Sequence, residues 1–485
     1  MHQPSSEHSY RQLPASCFAD CQPTAVRAPQ YLAFNHALAT ELCFPKALCG
    51  TEEGLALFSG NQLPEWTAPL AQAYAGHQFA NYVPRLGDGR AILLAELRNT
   101  DGKLFDLQLK GAGRTPYSRS GDGRSPLGPV IREYLVSEAM HALGVPTTRA
   151  LAAISTGELV FRDEALPGAI LTRVASSHIR IGTMQYAASQ PDPTVIRKLA
   201  DYVIARHYPG CQQAANPYLA LLSEVIRRQA ALIAQWMSLG FIHGVMNTDN
   251  MTLCGETIDY GPCAFMEAFN PDQVFSYIDQ YGRYAYKNQP AIAQWNLARL
   301  AEALLALIHP EQEKAITLAV NELEQFPAIY SRHWLDRFTA KLGLTQAMDT
   351  DKALIDDFLQ LLAQSQSDFT LAFRDLSNAQ QPYLHQQIDA ESLQTWLARW
   401  RARITQSGKT LTDAVALIAR VNPVLIPRNH LIQRVIDEVS TDGDLRLFNQ
   451  LHHLWQKPYC DSAESRPFQQ AAMPQERVCQ TFCGT

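Results

Sequence analysis

The chain has 485 residues, of which 46% are apolar and 18% are charged. This length exceeds what one hydrophobic core serves and predicts two or more folded units, while the composition excludes wholesale disorder. A total of 41 Lys and Arg against 47 Asp and Glu leaves a net charge of −6, which argues against a nucleic-acid partner.

Membrane and disulfide signals are weak in this sequence. No run approaches the ~20 consecutive apolar residues that a bilayer span requires, and residues 1–7 lack the basic and apolar segments of a secretory signal. The ten cysteines are scattered and form neither a zinc ribbon nor a dense disulfide framework. We therefore expect a cytoplasmic protein with mostly reduced thiols and no membrane partner.

The first clear elements are two strands in the first quarter of the chain. Residues 1–70 are mixed in character and predict an irregular N-terminal extension that packs on the body of the protein. Strands are predicted over 91–98 and 103–110, joined by a turn at 99–102. Alternation of apolar and polar residues along the second strand puts Lys110 on its polar face, at its end.

A loop and a helix follow these strands. Residues 111–128 contain five glycines and three arginines, a composition typical of a loop. Pro129 then suits the start of a helix, and Gly144 suits its end. The strands predicted next are 151–161, divided in two by a turn at 155–157, and 169–174.

From about residue 176 the pattern becomes helical. Apolar residues at three- and four-residue steps predict a helix through Leu222 and Met237 that ends near Gly240, and Pro290 begins another helix. A polar tail follows Lys457. Blocks of strands followed by helices indicate an α+β fold rather than a wound parallel sheet.

The first candidate for chemistry is Gly87-Asp88-Gly89-Arg90, directly before the first predicted strand. Two glycines one residue apart let the backbone approach a phosphate closely, and the arginine adds a positive charge. A plain turn between strands has the same sequence features, so this motif alone leaves both readings open.

The second candidate is a lysine and a glutamate separated by 23 residues. Lys110 ends a predicted strand and Glu133 lies on the predicted helix that follows. Protein kinases hold nucleotide phosphates with a strand lysine that is paired with a helix glutamate. The alternative is a surface lysine and a solvated glutamate.

The third candidate is the segment 243–250, His-Gly-Val-Met-Asn-Thr-Asp-Asn, which is followed by Asp-Tyr-Gly at 259–261. Kinases place an Asp two residues and an Asn seven residues after the His, and then a metal-binding Asp-Phe-Gly. Asn250 keeps this spacing, but Val245 stands at the position of the base and cannot accept a proton. An ordinary kinase mechanism is therefore disfavoured, although Asp249 supplies a carboxylate beside Asn250.

These motifs, together with Gln78-Phe79 and the segment 109–119, resemble the selenoprotein-O family from about residue 30 to the C-terminus. The resemblance implies an α+β, protein-kinase-like fold with two lobes. The divisions expected are an N-terminal extension at 1–70, a strand-rich N-lobe at 71–175, a helical C-lobe with the catalytic loop at 176–456, and a C-terminal tail at 457–485.

The resemblance implies a protein adenylyltransferase that binds ATP in the reverse orientation to kinases. Such an enzyme transfers AMP to Ser, Thr or Tyr hydroxyls of protein substrates and releases pyrophosphate, and bacterial members are also credited with UMP transfer from UTP, favoured by manganese. The likeness suggests a monomer. Two alternatives are a non-catalytic pseudokinase scaffold that binds nucleotide and a phosphotransferase kinase, of which Val245 disfavours the second.

The resemblance also implies roles for single residues. Asp249 would be the general base, and Asn250 and Asp259 would ligate Mg²⁺ or Mn²⁺ through oxygen. Glu133 would support Lys110 through an ion pair. The positions that would contact the nucleotide are Gly87, Gly89, Arg90, Lys110, Asp122, Gly123, Arg173, Arg180 and Asp259.

Two cysteines close to the C-terminus suggest redox regulation. Cys483 stands at the antepenultimate position, where some family members carry selenocysteine, and Cys479 lies four residues earlier. A disulfide within the tail, or to a loop cysteine such as Cys263, is the expectation. The segment 273–277 lacks a cysteine that some relatives carry there.

Overall fold

The structure of the protein is a computed structural model, which describes residues 4–378, 380–478 and 481. The strands are β1 (Ser6–Glu7), β2 (Phe18–Asp20), β3 (Gln30–Phe34), β4 (Leu70–Gln72), β5 (Gly76–Gln78), β6 (Asn81–Val83), β7 (Ala91–Arg98), β8 (Leu104–Lys110), β9 (Ser125–Pro126), β10 (Arg149–Phe161), β11 (Ala165–Ala175), β12 (Phe241–Ile242) and β13 (Ala264–Phe265). The α-helices are α1 (His36–Glu41), α2 (Glu52–Phe58), α3 (Leu127–Ala142), α4 (Ile181–Ala188), α5 (Thr194–His207), α6 (Pro217–Leu239), α7 (Gln289–Ile308), α8 (Gln312–Leu323), α9 (Phe326–Lys341), α10 (Asp351–Ser365), α11 (Phe369–Asp375), α12 (Pro382–Gln387), α13 (Ala390–Gln406), α14 (Leu411–Val421), α15 (Asn429–Asp442) and α16 (Arg446–Trp455).

A large antiparallel sheet dominates the first part of the chain. Its strand order is β2-β4-β7-β8-β11-β10-β3, with β1 paired to β7 and β9 paired to β11. Helices α4 to α16 make up most of the chain after residue 180. The fold is therefore mixed α and β, with the strands first and the helices second.

Both faces of this sheet are covered, which explains why β7 is buried along almost its whole length. Helix α3 packs against β10 and β11 on one face, and Leu93 belongs to the large core cluster on that side. Helices α1 and α2 cover the other face, where Ile92 and Leu94 belong to a second cluster. Helix and sheet packing thus hold the end of β8 in a defined place.

The central strands agree with the sequence pattern. The predicted strands 91–98 and 103–110 correspond to β7 and β8, which pair with Ala91 opposite Lys110. The predicted helix from Pro129 is α3, which begins two residues earlier at Leu127 because proline is tolerated in the first turn of a helix.

Two predictions about the strands were wrong. The N-terminal segment is not irregular, because β1, β2 and β3 join the large sheet. These strands are two to five residues long, too short for alternation to be visible in the sequence. The two short strands predicted within 151–161 are one strand, β10, in which Gly157 at φ +68° lies in a bulge opposite β11.

Among the described residues, one helical segment has the length and composition of a membrane span. An 18-residue window of Tyr286–Ile308, a segment that includes α7, has a mean hydropathy of 1.3, although the sequence contains no uninterrupted apolar run of that length. In the structure α7 packs against α4, α6 and α8, and Leu297, Leu300 and Leu304 are fully buried.

A lysine at the end of α9 is buried against two aromatic rings. Lys341 is 5% exposed, and its Nζ lies 4.3 Å from the ring centre of Phe373 and 5.2 Å from that of Phe369. No carboxylate in the described ranges lies within salt-bridge distance of it. Burial lowers the pKa of this lysine to about 7, so the charged form destabilises the fold.

We expect Lys341→Met to raise the melting temperature most at pH 7 and below. Between the folded pKa of about 7 and the unfolded value of 10.5, the unfolded chain binds more protons. The native protein therefore gains stability with rising pH in that window, by about 1.4 kcal/mol per pH unit from this group. The advantage of methionine should shrink towards pH 10, as calorimetry at several pH values would measure. Lys352→Met, at an exposed lysine on α10, is the control; an equal gain at all pH values would contradict the assignment.

Candidate functional site

Four charged side chains from four parts of the chain meet at the end of β8. The Nζ of Lys110 lies 2.6 Å from Oε2 of Glu133 and 2.6 Å from Oδ1 of Asp259. Nη1 of Arg173 lies 3.2 Å from Oε1 of Glu133 and 2.7 Å from Oδ1 of Asp259. Each of the two carboxylates thus contacts both cations, and we call these four residues the Asp259 cluster.

Strand register explains why the two cations converge. Arg173 of β11 lies opposite Gln108 of β8, two residues before Lys110, so both cations project from the same face of the sheet. Oε1 of Gln108 accepts hydrogen bonds from Nη2 of Arg173 at 2.6 Å and from its Nε at 3.2 Å. Nε2 of Gln108 donates to Oδ2 of Asp88 at 3.1 Å.

Arg180 lies beside this cluster but is held more loosely. Its Nη2 is 3.8 Å from Oδ2 of Asp259 and 3.8 Å from Oδ1 of Asp88, and its guanidinium stacks 4.5 Å from the ring centre of Tyr74. Nε of Arg180 is buried without a hydrogen-bond partner in the described structure. This arginine therefore has hydrogen-bonding capacity that the protein itself does not use.

The charges of the cluster determine its protonation. Burial alone would raise the pKa of Asp259, but Lys110, Arg173 and Arg180 hold it well below its ordinary value. The backbone of Asp259 has φ +63°, an uncommon conformation for a residue other than glycine, which costs of order 1–3 kcal/mol. The contacts of its carboxylate offset that strain.

His243 shapes the loop that precedes Asp259. Its ring is fully buried, and Nε2 lies 2.8 Å from the carbonyl oxygen of Ile258. Nδ1 accepts a hydrogen bond from the backbone N–H of Val245 at 3.4 Å, so Nε2 is assigned as the donor. Burial lowers the pKa of His243, which keeps the ring neutral in this structural role.

Asp249 is buried at the next bend of the same loop. Its Oδ2 accepts a hydrogen bond from Nε2 of Gln78 at 3.5 Å, and its Oδ1 has no hydrogen-bond partner in the described residues. A Cβ on Gly76 would lie 2.5 Å from Oδ1, so a larger residue there would have to displace this carboxylate. Burial raises the pKa of Asp249 to about 6, while Arg180 acts in the opposite direction.

Asn250 is anchored through one end of its amide. Nδ2 donates a hydrogen bond to the carbonyl oxygen of Val245 at 2.9 Å. This contact leaves the amide oxygen as the group that can accept or ligate.

The remaining residues singled out in the sequence lie outside the Asp259 cluster. A Cβ on Gly87 would lie 2.3 Å from the ring of Tyr117, and one on Gly89 would lie 3.1 Å from its carbonyl oxygen. Close packing against Tyr117, together with φ +70°, is therefore a sufficient reason for glycine at position 87, whereas the contact at Gly89 is only tight. The carbonyl oxygen of Arg90, just before β7, accepts from the N–H of Gly111 at 2.7 Å.

Asp122 and Gly123 belong to the loop before α3. Arg162 donates to both carboxylate oxygens of Asp122, at 3.0 and 3.1 Å. Burial raises the pKa of this carboxyl, but the bonds from Arg162 and from the backbone of Arg124 outweigh it and lower the pKa. A Cβ on Gly123 would lie 2.0 Å from the carbonyl oxygen of Gly113, so the turn requires glycine.

A cavity of about 700 Å³ adjoins this region. Val245 and Pro262 form one wall, the start of α3 forms another, and Arg162 stands at its edge. The volume of this cavity and its mixture of polar and apolar lining residues are typical of a site for a small organic molecule.

The C-terminal tail returns to the same wall. The hydroxyl of Thr481 donates to the carbonyl oxygen of Pro262 at 2.7 Å, and its N–H donates to that of Phe275 at 2.8 Å. Cys479 and Cys483 lie outside the described residues, so the expected disulfide stays a prediction. Cys263, the loop cysteine named with them, is buried.

Sequence reasoning missed several parts of this site. The motif at 87–90 was interpreted as a phosphate-binding backbone or a plain turn, with no role for the side chain of Asp88, yet that side chain is buried beside Arg180 and Gln108. The hairpin of β5 and β6, which covers Asp249, was not predicted. A charged residue between two glycines was the signal available for Asp88; the hairpin strands have three residues each and left no periodic signal.

Comparison with known proteins identifies the family to which the chain belongs. The family model described as protein adenylyltransferase SelO matches residues 3–456. Three proteins named protein nucleotidyltransferase YdiU each align over 99% of this chain. The protein from Rhizobium meliloti (strain 1021) is 51% identical and the one from Rhodopseudomonas palustris is 52% identical, each with 99% of its own length covered. The protein from Anoxybacillus flavithermus is 50% identical, with 98% of its own length covered. The chain therefore belongs to the SelO family of protein adenylyltransferases and is a nucleotidyltransferase enzyme.

Proposed function

We propose that this enzyme transfers AMP from ATP to Ser, Thr or Tyr hydroxyls of proteins and releases pyrophosphate. UMP transfer from UTP in the presence of manganese belongs to the same proposal. The observation that carries it is the presence of two distinct groups: three cations surround Asp259, and a buried carboxylate, Asp249, lies on the loop before it.

We further propose that the fold is protein-kinase-like, with an N-lobe at 71–175 and a helical C-lobe at 176–456. The ion pair between Lys110 of β8 and Glu133 of α3, at 2.6 Å, supports this assignment. So does the loop 243–250, which follows a long helix and precedes Asp259. Residues 1–70 and 457–485 are then additions to a kinase-like body, and the cytoplasm is the proposed location.

Asn250 and Asp259 fit a divalent cation. Within the described ranges no group of three or more His, Cys, Asp and Glu side chains could hold a metal ion unaided. Mg²⁺ and Mn²⁺ suit such a sparse site, because they are bound by one or two protein oxygens together with substrate phosphates. The bond from Asn250 Nδ2 to Val245 leaves its amide oxygen available, and the lowered pKa keeps Asp259 ionised. When bound, the ion would neutralise charge on the phosphate oxygens.

The chain's own residues account for the remaining chemistry. The acceptor hydroxyl oxygen forms a bond to the α-phosphorus, the bond from that phosphorus to the bridging oxygen breaks, and pyrophosphate leaves with the electron pair. Asp249 accepts the hydroxyl proton, since its Oδ1 is buried without a partner in the described structure. Lys110, Arg173 and Arg180 stabilise the negative charge of the leaving group.

The cavity beside Pro262 is the proposed seat of the nucleoside. Its edge at Arg162, which holds Asp122, lies at the loop that includes Gly123. With the nucleobase in this cavity and the outer phosphates at the arginines beside Asp259, the α-phosphate would face the loop 243–250. This orientation is the reverse of that in a kinase, where the γ-phosphate lies at the catalytic loop.

The direct test of the proposal uses ATP labelled at the α- or the γ-phosphate. We expect label on protein from the α-position only, and none with Asp259→Ala. Asp272→Ala, at an exposed acid, is the control that should label normally. Label from the γ-position would identify a kinase, and no label from either position would identify a scaffold.

Lys110→Met should weaken ATP binding by roughly tenfold or more, because a charge-assisted contact to phosphate is lost. Lys103→Met is the matched control, since Lys103 is exposed immediately before the same strand. Titration calorimetry would measure both affinities, and the melting temperature would report any loss of folding. Equal affinities for the two variants would refute the role of Lys110.

Asp249→Asn should lower the rate of AMP transfer by about 10²-fold or more while ATP affinity stays unchanged, because only proton acceptance is removed. Single-turnover kinetics separate the two quantities. A fully active Asp249→Asn variant would rule out this residue as the base.

A further inference from the structure

A hairpin covers the loop 243–250 along one edge. The N–H of His77 donates to Oγ1 of Thr248 at 2.7 Å, and the N–H of Phe79 donates to Oδ1 of Asn247 at 3.0 Å. With the bond from Gln78 to Asp249, three consecutive residues of the hairpin contact three consecutive residues of the loop. The outer side of this hairpin is therefore the surface next to the proposed base.

Two arginines and a tryptophan extend this surface. The guanidinium carbon of Arg283 lies 4.9 Å from the ring centre of Trp295, and that of Arg299 lies 4.8 Å from it. The ring of His77 meets the same tryptophan edge-on at 5.2 Å. We call Arg283, Trp295, Arg299 and His77, with Tyr82 beside His77, the arginine–tryptophan surface.

This surface is connected to the catalytic loop by a short path. The guanidinium of Arg283 lies 5.7 Å from the ring centre of Tyr284. The hydroxyl of Tyr284 donates to Oδ1 of Asn247 at 2.6 Å, and Asn247 precedes Asp249 by two residues. If Arg283 binds a side chain of the protein substrate, that side chain would thus belong to a substrate segment that passes the reacting centre.

The two arginines of this surface have one carboxylate salt-bridge partner between them in the described part of the chain. Arg299 pairs with Glu302 at 2.7 Å, whereas no carboxylate in the described part of the chain lies within salt-bridge distance of Arg283. Asp279, the nearest acid along the chain, accepts instead from the backbone N–H groups of Arg283 and Tyr284, at 2.9 and 2.7 Å. Nε of Arg283 is buried without a hydrogen-bond partner in the described structure.

The side chains of the arginine–tryptophan surface are exposed enough to contact a partner. Tyr82 is 42% exposed, and Arg283, Trp295 and Arg299 are partly exposed. An arginine stacked on an aromatic ring presents its planar donors with little loss of side-chain freedom, which suits bidentate recognition of a carboxylate. Trp, Tyr and Arg are also the residues that contribute most binding energy at protein interfaces.

We propose that the arginine–tryptophan surface binds acidic residues that flank the acceptor hydroxyl of the protein substrate. This inference rests on the proposed function and specifies its substrate class: hydroxyls within acidic segments. Arg283 binds the flanking carboxylate, and Trp295 supports its guanidinium. The phosphates of ATP are assigned to the separate cations around Asp259, so the two sets of arginines serve different ligands.

The test compares synthetic peptides that differ only in flanking charge. Each contains a central Ser, Thr or Tyr in a neutral background, flanked by two Glu, two Gln or two Lys. With α-labelled ATP, the Glu peptides should have a kcat/KM above that of the Lys peptides by about two- to fivefold, the effect of one partly exposed ion pair. Arg283→Glu should reverse this order, and Arg283→Gln should abolish it.

Matched controls separate this effect from a loss of folding or of nucleotide binding. Arg332→Glu, at an exposed arginine of α9 paired with Asp336, should keep the preference for Glu peptides. ATP affinity should be the same in all of these variants, since none touches the Asp259 cluster. A preference that persists in Arg283→Glu would overturn the inference.

The remaining outcomes distinguish the two proposals. Equal labelling of all peptides would overturn the acidic-substrate inference and leave AMP transfer standing. Absence of α-label on every protein and peptide would contradict the proposed function itself.

Discussion

The carboxylate of Asp259 is shared by Lys110 and Arg173, and much of the architecture of the site depends on this contact. Lys110 comes from β8, Arg173 from β11, and Glu133, which contacts both cations, from α3. Unpaired charges at this depth would cost several kcal/mol each, so the sheet, α3 and the loop must keep one relative position. The same contact keeps Asp259 ionised and compensates its strained backbone.

The segment 243–250 is held just as closely, but by neutral groups. The imidazole of His243 joins Ile258 to Val245, and the hairpin of β5 and β6 binds Asn247, Thr248 and Asp249 in turn. These bonds leave unused one oxygen of Asp249 and the amide oxygen of Asn250. Under the proposed function, these two oxygens are already oriented before substrate arrives, which is the condition for low reorganisation cost in catalysis.

Sequence patterns predicted the parts of the site that depend on local order. Alternation in β8 put Lys110 on the polar face, and the following helix carries the glutamate with which it pairs. Patterns could not predict Asp88, Gln78 or the arginine–tryptophan surface, since their contacts join residues far apart in the chain. Gln78 and Asp249, for example, are 171 residues apart. The N-terminal strands were missed for a related reason: short strands obtain their stability from pairing with β7, β4 and β10, not from their own sequence.

A crystal structure would test most directly whether the nucleotide binds in the reverse orientation to that in a kinase. The protein would be crystallised with Mn²⁺ and an ATP analogue whose α–β bridge is a methylene group. We expect the α-phosphorus beside Asp249 and Asn250, the outer phosphates on Lys110, Arg173 and Arg180, and the nucleobase in the cavity next to Pro262. A γ-phosphorus beside Asp249, with the nucleobase outside the cavity next to Pro262, would contradict the reversed orientation.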